Sequence, residues 1–228
     1  MALTKTRAIP ERRRRATGQA APAKQERAAG ENLLCCDGLV TYHPGFFEPA
    51  RADELFERCQ NELAWGQETA RLFGRSVPLP RLTAWYGPIP YAYSGVVHRA
   101  TAMAPVLAEI RDAIEVLAPG MDCVLANDYR NGRDSVSWHA DDEAEWGNDP
   151  VIASVSFGAT RRFSLRHRDA PARVAVDLEH GSLLVMAGAT QRCWHHAILK
   201  TNREVAERIN LTFRRWVVPP GTREKRAR

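Results

Sequence analysis

The chain has 228 residues, of which 44% are apolar and 26% are charged, and its formal net charge is +5. This length can bury a sizeable core in one domain, and no apolar run approaches the ~20 residues that cross a bilayer, which excludes a membrane-spanning protein. Residues 1–30 lack the apolar core of a secretory signal, so we expect a cytoplasmic protein, associated with the nucleoid if it is bacterial. Five cysteines without a C-x-x-C pair argue against a disulfide framework and a structural zinc site.

Positive charge is concentrated in the two tails. Residues 1–30 carry +6 and residues 220–228 carry +3, which leaves −4 for the middle of the chain. Tails rich in Arg, Ala, Pro and Gln cannot bury enough apolar surface to fold, so we expect both to be disordered. A basic tail can attract nucleic acid by counterion release, or it can simply aid solubility. The folded domain is therefore expected to span residues 31–219.

Two helices are predicted before the middle of the chain. The stretch "LLCCDGLVTYH" first indicates a short strand, and "EPARADELFERCQNELAW" then has apolar residues at helical spacing. A second apolar stripe runs through "TAMAPVLAEIRDAIEVLAPG" and is ended by Pro119 and Gly120. We interpret both helices as packing elements.

From residue 121 onward, short β-rich runs alternate with turn residues. These runs are "CVLANDYR", "VIASVSFG", "RRFSLRHR", "RVAVDLE", "SLLVMAG", "QRCWHHAIL" and "RINLTFRRWVV". Strands at such regular spacing are typical of a sandwich or jelly roll. The predicted fold is α+β, dominated by an antiparallel β core with the two helices packed outside it.

Three side chains of this β region indicate a metal site. In "SWHADDEAEW", His139 and Asp141 share a face if the segment is extended. On its own the H-x-D pair would be interpreted as a solvated acidic loop, but "CWHHAIL" offers a third ligand, His195 or His196. Two imidazoles and one carboxylate leave coordination positions open for substrate and O₂, which is typical of non-haem Fe(II) oxygenases.

The strand "RINLTFR" alternates apolar side chains with a row of polar ones. If the polar row faces inward, Arg208 or Arg214 suits a dicarboxylate, because the planar guanidinium group pairs with a carboxylate through two hydrogen bonds. A buried arginine without an anion would be strongly unfavourable. The alternative is an edge strand whose arginines face water, and the pattern alone favours neither interpretation.

The H-x-D pair, the distal histidine and R-x-N-x-T-x-R together resemble the AlkB family of Fe(II)- and 2-oxoglutarate-dependent dioxygenases, which demethylate alkylated bases of nucleic acids. The resemblance runs from about Leu72 to Trp216 and includes "SVSFGATRRFSLRHRD", "HGSLLVM" and "WHHAI" in the order of the family's DNA-repair branch. It implies a double-stranded β-helix (jelly-roll) core at about residues 121–219 and a nucleotide-recognition part at about residues 67–100. It also implies Fe(II) as cofactor and 2-oxoglutarate and O₂ as cosubstrates.

The resemblance assigns roles to single residues. It makes His139, Asp141 and His196 the iron ligands, because the family pattern reads W-x-H and Trp194 fixes the count. These three ligands and Arg214 are the predicted catalytic residues. Arg208 would pair with the distal carboxylate of 2-oxoglutarate, so the polar row is predicted to face inward. The implied 2-oxoglutarate pocket consists of Asn127, Tyr129, Arg208, Asn210, Thr212 and Arg214.

The resemblance also implies how the alkylated base is held. An enzyme that modifies a base must flip the nucleotide out of the stack into a pocket. In "YAYSG", Tyr93 would stack on the base, with Tyr91 nearby, and Asp142 and Glu143 would read the exocyclic amine of adenine or cytosine. Core tyrosines and solvated loop acids are the alternatives.

Two further stretches are expected to contact the nucleic-acid strand. The stretch "RLFGRSVPLPR" resembles a hairpin that inserts into duplex DNA, with Phe73 as the wedge, Gly74 in the turn, and Arg75 and Arg81 meeting phosphates. A buried Phe73 is the alternative. The stretch "RRFSLRHRDAPAR" is rich in arginine, which suits phosphate contacts, although a charged hairpin in water is the alternative. Its candidates are Arg161, Arg162, Arg166 and Arg168.

The predicted function is oxidative demethylation of N-alkylated DNA bases such as N1-methyladenine and N3-methylcytosine, with release of formaldehyde. The positive charge of these bases suits acidic and aromatic side chains. The Phe73 hairpin favours duplex DNA, single-stranded DNA is kept open, and we expect a monomer without membrane contact. The alternatives are an RNA demethylase, a protein or small-molecule hydroxylase on the same fold, and a non-enzymatic nucleic-acid-binding module.

Overall fold

The computed structural model describes residues 28–72, 75–93 and 96–217. Phe73, Gly74 and nearly all of both predicted tails lie outside these residues. The helices are α1 (Pro49–Glu62), α2 (Pro105–Ile114) and α3 (Thr190–Cys193), with a 3₁₀ turn at Ala144–Trp146. In chain order the strands are β1 (Leu39–His43), β2 (Thr69–Leu72), β3 (Arg75–Pro78), β4 (Leu82–Tyr86), β5 (Tyr91–Tyr93), β6 (Val96–His98), β7 (Cys123–Tyr129), β8 (Val136–His139), β9 (Ile152–Gly158), β10 (Arg161–His167), β11 (Arg173–Leu178), β12 (Ser182–Ala187), β13 (Trp194–Ile198) and β14 (Arg208–Arg214).

Two antiparallel sheets form the core. The larger sheet has the strand order β1-β12-β9-β14-β7-β4, and the smaller sheet has the order β11-β10-β13-β8. The hairpins β2–β3 and β5–β6 form separate two-stranded sheets. Strands dominate and the two long helices precede the main run of strands, so the predicted α+β fold with a jelly-roll core is confirmed.

The helices cover one face of the larger sheet. Both α1 and α2 begin with a proline, which suits the first helical turn because its missing N–H has no partner there in any case. Their apolar residues pack in one cluster with Val155, Phe157 and Leu211 of the larger sheet. Helix α2 ends at Ile114, and the chain reaches Pro119 through a hydrogen-bonded turn rather than through the continued helix that the sequence predicted. None of the helices in the described ranges is long and apolar enough to cross a membrane.

The other face of the larger sheet lies against the smaller sheet, and it carries both an apolar cluster, which includes Leu184 and Met186, and the polar row of β14. Strand β14 is central, between β9 and β7, and all seven of its residues are buried. Asn210 pairs with Ser156 on one side and with Asn127 on the other. The polar row of β14 therefore faces the space between the sheets, and the edge-strand alternative is wrong.

The segment before β13 differs from the sequence prediction. The run "QRCWHHAIL" was predicted as one strand, but its first residues belong to α3 and the strand begins only at Trp194. The α3 backbone turns because the N–H groups of Arg192 and Cys193 bond back to the carbonyl of Ala189. All five cysteines are free thiols.

Candidate active site

The two histidines and the aspartate predicted as metal ligands converge between the sheets. His139 ends β8, and His196 lies directly opposite it on the neighbouring strand β13. The His139 Nε2 atom lies 3.9 Å from Asp141 Oδ1, and the His196 Nε2 atom lies 3.9 Å from Asp141 Oδ2. One donor atom from each of the three residues fits within a 4.8 Å span, which is close enough for one ion to bind all three.

The charge states of these groups suit a cation. Burial raises the pKa of Asp141, but the Arg214 guanidinium, 2.9 Å away, and the two imidazoles outweigh burial and bring that pKa to about 2. Burial and the neighbouring His139 lower the pKa of His196 to about 3. At neutral pH the site therefore presents an ionised carboxylate and a neutral imidazole, which are the forms that bind metals.

The hydrogen bonds of the predicted metal ligands are also compatible with a bound metal. The His139 Nδ1–H donates to the carbonyl of Ser137 at 2.8 Å, which leaves the lone pair on Nε2, the atom that faces Asp141. The Asp141 Oδ1 atom is buried and has no hydrogen-bond partner within the described part of the chain. Buried polar atoms rarely stay unsatisfied, so an ion between these donors would satisfy this oxygen. The residues present therefore fit a bound metal.

His195 and His196 lie on opposite faces of β13. His196 is buried opposite Leu165 and His139, whereas His195 is half-buried opposite Arg166 on the outer face. The geometry thus brings His196, and not His195, to the other two donors.

A cavity connects the three donors to the polar row of β14. Its lining residues are Arg81, Leu125, Asn127, Tyr129, Val136, His139, Asp141, Ser154, Phe163, Leu178, Met186, His196, Ile198, Arg208, Asn210, Thr212 and Arg214. All the residues predicted to bind 2-oxoglutarate belong to this lining, together with the three donors. The cavity therefore has a donor set for a cation and a group of polar residues in the same space.

Arg208 carries an uncompensated positive charge in this cavity. Its side chain is 0% exposed, and its Nη2 donates to Ser156 Oγ at 2.9 Å. Its guanidinium carbon lies 5.2 Å from the centre of the Tyr129 ring, while Nε and Nη1 have no hydrogen-bond partner among the residues described. Burial lowers the pKa of Arg208 to about 10, so the group is still charged at neutral pH. A buried cation with free donors indicates that an anion binds here.

Other polar residues of the cavity already have partners. The Asn210 Nδ2 donates to Ser154 Oγ at 2.8 Å and to the carbonyl of Val155 at 2.9 Å. The Asn210 Oδ1 accepts the Thr212 hydroxyl at 3.2 Å. These bonds indicate that Asn210 chiefly fixes the β9–β14 pair, whereas its direct contact with a cosubstrate stays a prediction.

Arg81 is buried, so its predicted contact with a phosphate is wrong. Its side chain is 4% exposed, and its Nε donates to Asn127 Oδ1 at 2.6 Å. A second bond runs from Nη1 to the carbonyl of Ser135 at 3.4 Å. Arg81 therefore belongs to the cavity lining and orients the Asn127 amide.

Arg161 is also buried, and its predicted role at the nucleic-acid backbone is wrong for the same reason. It is 4% exposed because it begins β10 on the inward face. Its guanidinium group donates to the carbonyls of Asn131, Asp134 and Leu199 at 3.2, 3.0 and 2.9 Å. Arg161 ties two loops together.

The remaining arginines of this stretch face outward, and their contacts with phosphates stay predictions. Arg162 pairs with Asp177 at 2.9 Å. Arg166 lies over the Trp138 ring with 4.4 Å between its guanidinium carbon and the ring centre. Arg168 pairs with Asp142, a residue predicted to read the base.

Arg168 and Asp142 form an ion pair at 2.7 Å, although they were predicted to contact different parts of the nucleic acid. The neighbouring Glu143 accepts a hydrogen bond from Trp146 Nε1 at 2.9 Å. Burial and the charge of Asp141 raise the pKa of Glu143. A base that binds Asp142 must therefore share this carboxylate with Arg168 or displace Arg168 from it.

The remaining base-pocket predictions are described only in part. Arg75 is exposed on β3, where it is free of the core. The structure gives the backbone of Tyr91 and Tyr93 in β5, but their side chains lie outside the described residues. Their stacking on a base stays a prediction, as does the wedge at Phe73.

Sequence reasoning missed several residues that support the site. Ser154 and Ser156 of β9 face the cavity side and bond Asn210 and Arg208. Their spacing in "VIASVSFG" was a usable signal, because residues two apart share a strand face. Gln191 bonds the backbone of Asp141 from 50 positions away, and no local pattern marks it.

Two imidazoles and one carboxylate lining a cavity form the donor set of the non-haem Fe(II) oxygenase class. Comparison with known proteins agrees, since the 2OG-Fe(II) oxygenase superfamily model matches residues 39–214. The chain is 42% identical over 182 residues to the Bos taurus protein "Alpha-ketoglutarate-dependent dioxygenase alkB homolog 3", covering 75% of this chain and 64% of that protein. It is 36% identical over 196 residues to the Mus musculus "DNA oxidative demethylase ALKBH2", covering 80% and 82%.

A solved structure shares the fold. The structure of OsALKBH1 matches with a TM-score of 0.59 and 19% sequence identity, covering 80% of this chain and 98% of that one. The chain belongs to the AlkB family of the 2OG-Fe(II) oxygenase superfamily. Fe(II), 2-oxoglutarate and O₂ are the cofactor and cosubstrates of this superfamily, which confirms the prediction made from the motifs. The chain spans 63–65% of the length of the alkB homolog 3 relatives that it matches.

Proposed function

We propose that the protein is an Fe(II)- and 2-oxoglutarate-dependent demethylase of N-alkylated bases, acting on N1-methyladenine and N3-methylcytosine in DNA. The observation that carries this proposal is a single cavity that contains both a three-donor cation site and the uncompensated guanidinium of Arg208. The ALKBH2 relative, which is called a DNA oxidative demethylase, supports a nucleic-acid substrate. The activity, the substrate and the partners are proposals for this chain.

His139, Asp141 and His196 would hold the metal. Bound Fe(II) supplies the activation of O₂ that oxidises both 2-oxoglutarate and the methyl group of the base. Arg214 keeps the Asp141 carboxylate in place through its 2.9 Å ion pair and contacts the Trp146 ring at 5.3 Å. Because Asp141 and the Trp146 ring both contact the Arg214 guanidinium group, Arg214 restricts rotation of the Asp141 carboxylate.

Arg208 would bind one carboxylate of 2-oxoglutarate. Its Nε and Nη1 have no partner among the described residues, and a carboxylate can accept two parallel hydrogen bonds from Nη2 together with one of these two nitrogens. The ring of Tyr129 and the hydroxyl of Ser156 fix the guanidinium plane, so little ordering is needed when the anion arrives. The second carboxylate of the cosubstrate is then available to the donor set in the same cavity.

The base would enter on the side of His139. The side chain of His139 is 23% exposed, compared with 2% for Asp141 and 5% for His196, so the donor set is open on this side. Asp142 and Glu143 follow the metal carboxylate in the chain and suit a cationic methylated base. One oxygen atom is inserted into a C–H bond of the N-methyl group, and the hydroxymethyl product loses formaldehyde and leaves the unmodified base.

The test is formaldehyde release from oligonucleotides that carry one methylated base, supplied as duplex DNA, single-stranded DNA and RNA, with Fe(II) and 2-oxoglutarate. We expect release from DNA, highest on the duplex, and a loss of at least about 100-fold in Asp141→Ala because a metal ligand is missing. The matched control is Asp177→Ala, which removes an outward-facing carboxylate paired with Arg162 and should change the rate less than about two-fold.

Each alternative function gives a different result in this assay. A protein or small-molecule hydroxylase would consume 2-oxoglutarate but would leave all three oligonucleotides methylated. An RNA demethylase would release formaldehyde chiefly from the RNA. A non-enzymatic nucleic-acid-binding module would bind DNA undiminished after chelation and would not turn over 2-oxoglutarate. Full activity of Asp141→Ala would contradict the assignment of the ligand.

A further inference from the structure

The loop that carries Asp141 has left the sheet, so its backbone needs partners outside a strand. Strand β8 ends at His139, and Asp141 follows two residues later. Its backbone N–H donates to Gln191 Oε1 at 2.9 Å, and both residues are buried. A buried N–H without a partner is unfavourable, because folding removes it from water and gives it no other acceptor. The bond to Gln191 therefore favours one position of this loop.

The Gln191 side chain has one suitable orientation. Its other amide atom, Nε2, lies 3.4 Å from the sulfur of Met186, which is a weak acceptor. Turning the amide over would bring its NH₂ group against the N–H of Asp141 and set two donors against each other. Gln191 is 1% exposed, so water cannot easily replace the oxygen acceptor that Asp141 needs.

Helix α3 also holds the next residue of the loop. The backbone oxygen of Gln191 accepts a hydrogen bond from Arg168 Nη2 at 3.2 Å, and the same nitrogen reaches Asp142 Oδ2 at 2.7 Å. The helix is fixed in turn by the Thr190 hydroxyl, which donates to the carbonyl of Ala187 at 2.6 Å and accepts the N–H of Leu39 at 3.0 Å. The successive loop residues Asp141 and Asp142 are thus both held by the anchored helix α3.

We propose that Gln191 is a positioning residue for the metal-binding carboxylate, which it keeps beside His139 and His196 by accepting the Asp141 N–H. The inference rests on the proposed function only where that function takes His139, Asp141 and His196 to bind a metal. Residues that orient a metal ligand typically contribute about 10- to 100-fold to metal affinity. Gln191 acts through Asp141 and has no direct contact with the ion.

The experiment measures Co(II) binding to the full chain by titration and by visible absorption, without substrate. Gln191→Met keeps the length of the side chain but removes the oxygen, and we expect it to weaken Co(II) binding by about ten-fold or more and to alter the Co(II) spectrum. Gln191→Glu keeps an oxygen at the same position and should bind within about three-fold of the wild type, since the acceptor is what matters.

The matched control is Ser182→Ala, because Ser182 is as buried as Gln191 and its hydroxyl bonds the carbonyl of Glu179 and neither α3 nor the loop. It should lower the thermal midpoint and leave Co(II) affinity unchanged. Gln191→Asn, which is one methylene too short to reach Asp141, provides a second loss variant if Gln191→Met does not fold. Its Co(II) affinity should fall as well.

Wild-type Co(II) affinity in the folded Gln191→Met or Gln191→Asn variants would overturn the inference. It would also be overturned if Gln191→Glu bound Co(II) as weakly as Gln191→Met, because the oxygen acceptor would then be irrelevant. Failure of the proposed function looks different. In that case the wild type would bind Co(II), and the variants would differ as stated, although methylated DNA released no formaldehyde.

Discussion

The two faces of the smaller sheet carry the same residue types in different environments. On the inward face, Arg161 donates to three backbone carbonyls and His196 meets the other two metal donors. Their immediate neighbours, Arg162 and His195, point outward, where Arg162 pairs with a partly exposed carboxylate. The residue type therefore indicates what chemistry a side chain can perform, and the strand face decides whether it serves the cavity, the core or the surface.

The largest expected effect comes from the two adjacent histidines. His196→Ala should reduce formaldehyde release by at least about 100-fold because it removes a metal donor, whereas His195→Ala should stay within about three-fold of the wild type. Demethylation of a methylated oligonucleotide, with Co(II) affinity measured in parallel, checks both variants. Equal losses in the two variants would mean that the faces of β13 do not divide the site from the surface.

The next largest effect is expected at Arg208, which lies on the inward face of the larger sheet. Arg208→Met should raise the KM for 2-oxoglutarate by about 100-fold, because losing one partner of a buried charge pair costs about 2–5 kcal/mol. The thermal midpoint without cosubstrate should not fall, since replacing a buried charge with an apolar side chain is often neutral or stabilising. Steady-state kinetics and a thermal melt separate these two effects.

The control for this change is Arg208→Lys, which keeps the charge but cannot form two parallel bonds, so its KM should lie between those of the wild type and Arg208→Met. An unchanged KM in Arg208→Met would show that the cosubstrate carboxylate binds elsewhere.

Stability distinguishes the two adjacent arginines of β10. Arg161→Met leaves the carbonyls of Asn131, Asp134 and Leu199 without this donor and should lower the free energy of unfolding by about 2–3 kcal/mol. Arg162→Met breaks only an exposed ion pair and should lower it by less than about 1 kcal/mol. Urea denaturation measures both values. Similar losses would contradict the difference in environment.

Much of the fold could be predicted because its signals are local. The alternation in "RINLTFR" and the helical spacing in "EPARADELFERCQNELAW" each lie within one element, and both elements form as predicted. The β14 pattern did not show whether the polar row points inward, because alternation separates two faces of a strand without stating where each face points. The position of β14 between β9 and β7 decides that question, and this position depends on pairing between strands far apart in the chain.

The site residues, like the fold, could be predicted only where a local pattern marks them. Motif spacing was sufficient to name His139 and Asp141 and to narrow the third ligand to His195 or His196, and the W-x-H pattern of the AlkB family then selected His196. The arginines could not be sorted, since Arg81 and Arg161 lie in stretches as basic as those of Arg166 and Arg168. Burial of Arg81 depends on its bond to Asn127, which lies 46 positions away. Long-range contacts of this kind leave no local mark in a sequence.

The smallest expected effect concerns the outward face. If this face meets the nucleic-acid backbone, Arg166→Gln should reduce the slope of log K against log salt by about 0.9 for duplex DNA, which corresponds to one phosphate contact. Arg162 and Arg168 are less direct probes because each already pairs with a carboxylate, which a phosphate would have to displace. Arg166 instead lies over the Trp138 ring, which leaves its full charge in place.

The control is Arg58→Gln on α1, which packs against the other sheet, and it should leave the slope unchanged. Fluorescence anisotropy over a range of salt concentrations measures both variants. An unchanged slope in Arg166→Gln would favour the alternative of a charged surface in water. In that case Arg161 would stabilise the folded protein from the inward face of β10, and the outward arginines would only be solvated. The nucleic-acid strand would then have to bind across a different part of the surface.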